Sequence, residues 1–220
     1  MWVVALICGL GLLAPVGSLV HAEERNGERP LLVPEPGRVE AALPQDSHVL
    51  IHTSAIEQFL DKLDGEPPDW KTVYGHGHHD PGHDERLFAL NRERDRLREG
   101  NPVLQRHITF IWLGELSEYE PKVGGFRVAI GPRFHSTRWG IIRFKPEEVP
   151  SNLIAIPSPT QRTILQARLK KGEHVEIEVA MTGRLIPEES IVYDFSHDEE
   201  GRGLIMPVVR IERLDYFLVH

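Results

Sequence analysis

The 220 residues hold 33 acidic against 25 basic side chains, a formal charge of −8, and 40% of them are hydrophobic. An acidic chain of this kind repels phosphate backbones, which disfavours sequence-independent nucleic-acid binding, and no polybasic run offers docking on anionic lipid. The single cysteine, Cys8, lies in the first 22 residues. Beyond it the chain can form no disulfide and no thiolate metal site, and it has no cysteine nucleophile.

Residues 2–20 are almost entirely apolar and loosen toward their end at Pro15, Gly17 and Ser18. Val20-His21-Ala22 then gives way abruptly to Glu23-Glu24-Arg25. An apolar run followed by small residues and a polar start predicts a cleavable signal peptide over residues 1–22. No Lys or Arg precedes the run, which departs from the usual pattern. Cys8 follows Ile7 inside the run, too early for lipid attachment. The expected product is exported, to the periplasm or the medium, with no transmembrane segment after cleavage.

Residues 23–44 carry Pro30, Pro34, Pro36, Gly37 and Pro44 among charges and read as a flexible lead-in. Residues 45–102 read as a helical element. Residues 49–52 make a short strand, and Ser54 caps a helix over 55–64, with Glu57 completing a capping box. Ile56, Phe59, Leu60 and Leu63 fall on one face, and Gly65 ends the helix. Residues 66–84 read as a loop rich in Pro, Gly and His. A second helix over 85–99 places Leu87, Leu90 and Leu97 on one side, with charges elsewhere, and Gly100-Asn101-Pro102 stops it.

Residues 103–220 read as a β-rich, barrel-like domain. Strands are expected over 108–116, 126–130 and 139–144, separated by turn residues. A helix over 160–171 follows. Val175, Ile177, Val179 and Met181 then alternate with more polar positions over 173–185, the clearest period-two signal in the chain. Residues 191–195 and 204–218 supply the last strands. Three strands, a helix and two long strands make the order of an OB-type Greek-key barrel. The expected class is therefore α+β: a small OB-like barrel with an N-terminal helical element.

One tract suggests chemistry. Four of the twelve histidines, His76, His78, His79 and His83, lie within eight residues. Imidazole binds zinc, copper and nickel without any deprotonated sulfur, and Asp80 and Asp84 could add oxygen ligands or orient the rings. A solvated polar loop is the commoner reading of so short a tract. Nucleophile motifs such as G-x-S-x-G, S-x-x-K and H-E-x-x-H are absent, as are nucleotide-binding glycine loops. Glu188, Glu189, Asp194, Asp198, Glu199 and Glu200 are abundant carboxylates, more simply read as solvated turns than as a glycosidase pair. Trp112, Trp139, Tyr193, Phe195, Tyr216 and Phe217 fall on expected strands, where core packing is the default and a ligand face the alternative. His48, His52, His107, His135, His174 and His197 are dispersed and read as ordinary histidines.

The leading expectation is an exported non-enzymatic binding or interaction module for an envelope or extracellular component. The alternatives are a metal-binding protein using residues 76–84 with zinc, copper or nickel, and a hydrolase with a carboxylate site that carries no motif.

Overall fold

Six strands close a mixed barrel in the computed structural model, which describes residues 27–35, 39–76, 80–186, 191–195 and 202–219. The chain runs through β1 (Glu28–Leu32), β2 (His48–Val49), α1 (Thr53–Asp64), α2 (Trp70–Tyr74) and α3 (His83–Arg98). It continues with β3 (His107–Glu120), β4 (Gly125–Gly131), β5 (His135–Thr137), β6 (Gly140–Ile142), β7 (Lys145–Pro146) and β8 (Ile154–Ile156). Helix α4 (Pro159–Lys170), β9 (Glu176–Leu185), β10 (Ile191–Phe195) and β11 (Gly203–Leu218) complete it. Around the barrel the order is β1-β8-β4-β3-β9-β11, and β1 closes it by pairing with β11. The signal-peptide segment, residues 1–22, lies outside the described residues.

The α+β class and the small barrel are as expected. Without β1, the remaining strands follow the OB order: β3, β4 and β8 antiparallel in turn, then α4, then β9 and β11 returning to β3. β1 is wedged between β8 and β11, parallel to both. The lead-in expected to be flexible therefore supplies a barrel strand over Glu28–Leu32. Pro30 pairs with Ile156 of β8 alone, since the pairing with β11 begins at Leu31, so its missing donor falls where the ladder is one-sided, and Leu31 is buried.

The third barrel strand is also not where periodicity placed it. It is the three-residue β8, Ile154–Ile156, too short to register as a pattern. The apolar stretch 139–144 belongs to a small second sheet, in which β6 pairs with Leu204 and Ile205 of β11 and β5 pairs with β6. Trp139 at its start meets Asp61 of α1 and Trp70 of α2, and Phe144 at its end stacks on Phe110 of β3. β11, at 16 residues, serves both sheets: its first half pairs with β10 and β6, its second with β9 and β1.

Val175, Ile177, Val179 and Met181 are buried, as the alternation predicts. Ala180, on the opposite face of β9, is buried too, because Leu43, Ile111 and Phe217 cover it with help from Val39 and Ile51. The segment before α1 thus wraps the outside of the barrel.

In α1, Ile56, Phe59, Leu60 and Leu63 are buried and Gly65 ends the helix at φ 80°. The expected capping box is absent: His52 is the N-cap, with no side-chain cap bond, and the Glu57 carboxylate accepts instead from the Arg138 N–H at 2.8 Å. The expected loop 66–84 contains α2, capped by Asp69, which accepts from the Thr72 N–H and hydroxyl. Trp70 of α2 donates to the Trp139 carbonyl at 2.7 Å and lies flat on Gly203, where a Cβ would fall 1.8 Å from the indole.

Helix α3 departs most from its apolar pattern. Leu97 is exposed, and the buried stripe is Leu90, Arg94 and Arg98. Arg98, 1% exposed, grips the Asp64 carboxylate at the end of α1 through Nε at 2.5 Å and Nη2 at 2.9 Å. Arg94 donates to the Asp64 carbonyl at 2.6 Å. The Tyr193 hydroxyl of β10 donates to the same carboxylate. Burial, then the Asp64 charge, pushes that phenol far above its ordinary range. Both guanidinium groups lie over the Tyr193 ring. Asn91 brackets the Tyr193 backbone, donating to its carbonyl and accepting from its N–H, both at 2.9 Å.

Asp64→Ala leaves the buried Arg98 charge with only the exposed Asp95, 3.0 Å from Nη1, as counter-ion and should remove about 3 kcal/mol of stability. The double change Asp64→Leu with Arg98→Met should recover most of that loss. Urea denaturation of the three proteins checks it; a double variant no more stable than Asp64→Ala would contradict the account.

Candidate functional site

The histidine tract is held by a residue outside it. The Asp80 carboxylate accepts from Arg86 Nη2 at 2.8 Å, from the Gly82 N–H at 2.9 Å and from the His76 N–H at 3.2 Å. These bonds, the Arg86 one foremost, hold its pKa far below the usual carboxylate range. Arg86 also donates through Nε to the Val73 carbonyl at 3.0 Å, tying the loop to α2. Gly75, at φ 61°, sits so close to Arg86 and Asp80 that a Cβ would come within 2.2 Å of the guanidinium. This position requires glycine on both counts.

His83 opens α3 with its ring buried. The ring lies 4.4 Å from the Phe195 ring and meets Tyr74 edge-on at 5.8 Å. Its Nδ1 is 2.9 Å from Asp84 Oδ1. Thus His76 meets Asp80 through its main chain, and His83 packs as an aromatic. His78 and His79 lie outside the described residues. Among the described residues, no three His, Asp or Glu side chains stand where they could hold a metal ion. Sequence reading missed Arg86; an arginine on the first turn of a helix that follows an Asp-Pro-Gly turn was the available signal.

The other singled-out residues scatter. Trp139, Tyr193, Phe195, Tyr216 and Phe217 are buried in the core, and the half-buried Trp112 donates to the Phe144 carbonyl at 3.2 Å. Asp194 accepts from the N–H of Phe195. Glu188, Glu189, His197, Asp198, Glu199 and Glu200 lie outside the described residues. His48, His52 and His107 sit beside Arg106, Glu40 and Glu212 on the surface. His135 is buried, and desolvation, then Arg133, lowers its pKa.

A surface trough with binding character lies elsewhere, where α4 crosses the far end of β3. The β3–β4 ladder shifts register between Leu116 and Tyr119 and resumes at Tyr119↔Phe126 and Glu120↔Gly125, an irregularity of the kind that bends a strand locally. Helix α4 starts with a capping box, Ser158 to Gln161, and ends at Gly172, whose φ of 76° turns the chain back toward β9. Between them lies a cavity of about 640 Å³. Leu116, Tyr119, Phe126 and Leu169 form its apolar lining, and the Tyr119 and Phe126 rings are 5.3 Å apart.

Glu115, Glu118 and Glu173 stand in its wall with Lys170 and His174. His174 Nδ1 is 2.6 Å from Glu115, and Arg168 donates to Glu173 at 2.9 Å. The trough continues past Glu115 into a second hollow of about 370 Å³. Leu113 (54% exposed), Ile130 and Val219 meet Glu176 and Glu178 there. An open apolar strip bordered by carboxylates is suited to holding an extended partner by burial and charge.

What fold and surface together define is a class: an OB-type barrel, clamped on one side by helices and open on another. No protein-family model matches the chain, and neither does any curated protein or solved structure.

The two described histidines of the tract should behave differently. His83→Ala should lower stability by roughly 1–3 kcal/mol through lost packing, and His76→Ala should change it by less than about 0.5 kcal/mol. Thermal denaturation in the presence of a chelator measures both; equal effects would mean that the ring of His83 is not anchoring α3.

Proposed function

We propose that this chain is an exported, non-enzymatic binding module of the cell envelope or the extracellular space. Its partner is a segment carrying apolar and basic side chains, taken up in the trough between β3, β4 and α4. The observation that carries this reading is the trough itself: the apolar lining of Leu116, Tyr119, Phe126 and Leu169, with Glu118 beside it and with Glu115 and Glu173 already meeting His174 and Arg168. Ligand sites in general combine apolar walls with a few placed polar groups. Carboxylates at such a rim add on-rate and select positive partners. The export half of the reading rests on residues 1–22 and their expected cleavage.

A synthetic Lys/Leu peptide and its Glu/Leu counterpart test the docking half. The first should bind saturably, weaken with added salt and shift the NMR signals of Tyr119 and Leu169. Glu115→Gln with Glu118→Gln should weaken it roughly fivefold or more, about 1 kcal/mol. Equal binding of the acidic peptide, or shifts confined to another face, would remove the trough from the account.

N-terminal sequencing of exported protein tests the other half. It should read from Glu23, whereas a retained Met1 would mean an uncleaved anchor.

A further inference from the structure

A second pocket lies where β1 closes the barrel, away from the trough. Its volume is about 300 Å³. Its walls are Arg29 of β1, the turn at residues 148–150 after β7, and residues 211–214 of β11. The β9–β11 ladder shifts register between Ile211 and Arg213, and this bulge opens the space beside β1.

The charges in this wall are unequal in their commitments. Arg213 is held by both oxygens of Asp215, at 2.7 and 3.0 Å. Glu212 lies 2.9 Å from His107 and 3.4 Å from Arg184. Arg29 stands apart: among the described residues its guanidinium has no ion pair, and its Nε is buried without a hydrogen-bond partner. A buried donor left unmade is unfavourable, and charged donors more so. With Nε closed off, the outer nitrogens of this guanidinium, which are not among the buried atoms, are what the cavity wall offers an anion.

The surroundings narrow the anion. The flat guanidinium fork matches a carboxylate. Val149, Pro150, Ile211 and Leu214 give the pocket apolar walls. Glu148 and Glu212 also line it and repel any anion, a doubly charged phosphate about twice as strongly as a monocarboxylate. We infer that this pocket binds a monocarboxylate bearing a short aliphatic group, with Arg29 as its counter-ion. A free branched acid and the C-terminal carboxylate of a peptide ending in an aliphatic residue share that chemistry. The inference is independent of the trough, so either can fail alone.

The test is a methyl NMR titration of the full chain with sodium isovalerate, isovaleramide, inorganic phosphate and acetyl-Ala-Ala-Val. Isovalerate should shift the Val149, Ile211 and Leu214 methyls saturably, and the neutral amide and phosphate should bind at least tenfold more weakly. Tighter binding of the tripeptide than of isovalerate would identify a peptide terminus as the source, and the reverse a free acid. Arg29→Met should abolish the shifts and raise the Tm of the free protein, because it removes an unpaired charge. Arg29→Lys should bind with reduced affinity. The proposal is overturned if acid and amide bind alike, if Arg29→Met binds as before, or if Arg29→Met lowers the Tm of the free protein.

Discussion

The carboxylate of Asp64 joins three parts of the molecule that share no strand or helix. Arg98 reaches it from α3, Tyr193 from β10, and Asp64 itself ends α1. An ion taken out of water is tolerated only when its partners are in place. The helical layer and the small second sheet must therefore form together around this group. The Trp70 indole, seated on Gly203 and bonded to the Trp139 carbonyl, closes the same seam from α2. Asn91 adds a backbone-like pair of bonds along the edge of β10. These contacts fix the edge of a short strand that would otherwise be open for pairing.

That clamp leaves β11 as the bridge between the two sheets. One strand of 16 residues serves both: its residues 203–207 pair with β10, and from Val208 on it pairs with β7, β9 and β1, with a bulge in the β9 ladder between Ile211 and Arg213. Gly183 faces this bulge so closely that a Cβ would fall 2.0 Å from the Arg210 carbonyl oxygen. The Arg29 pocket opens at the same irregularity, on the side where β1 enters. The bulge thus stands beside a recess, and bulges commonly re-aim side chains in this way.

Neither surface proposed for binding faces the helical clamp. The trough lies along β3 and α4, and the Arg29 pocket lies at the closure by β1. The histidine tract belongs to the opposite logic. Asp80, Arg86 and the His83 ring seat the start of α3 on α2 and β10. A cluster that suggests ligands in sequence works there, in its described part, as a hinge pin of the helical layer.

The sequence by itself determined what local periodicity and caps can carry. The buried faces of α1 and β9 followed from spacing alone, and the helix read over 160–171 is α4; its Ser158–Gln161 capping box emerged only from the structure. The order of strands and helix pointed to the small OB-like barrel, with 139–144 standing in the place that β8 takes. Tertiary structure decided everything that rests on partners distant in the chain. β8 has three residues and no pattern of its own, and β1 hides behind prolines. Both become strands only because β11 and β4 offer them free edges. The buried stripe of α3 is arginine because Asp64, 34 residues before Arg98, supplies the charge. Arg29 looks like any surface cation until the barrel closes around it. Periodicity reports which residues prefer to leave water; it carries no record of which ones are forced to by what packs against them.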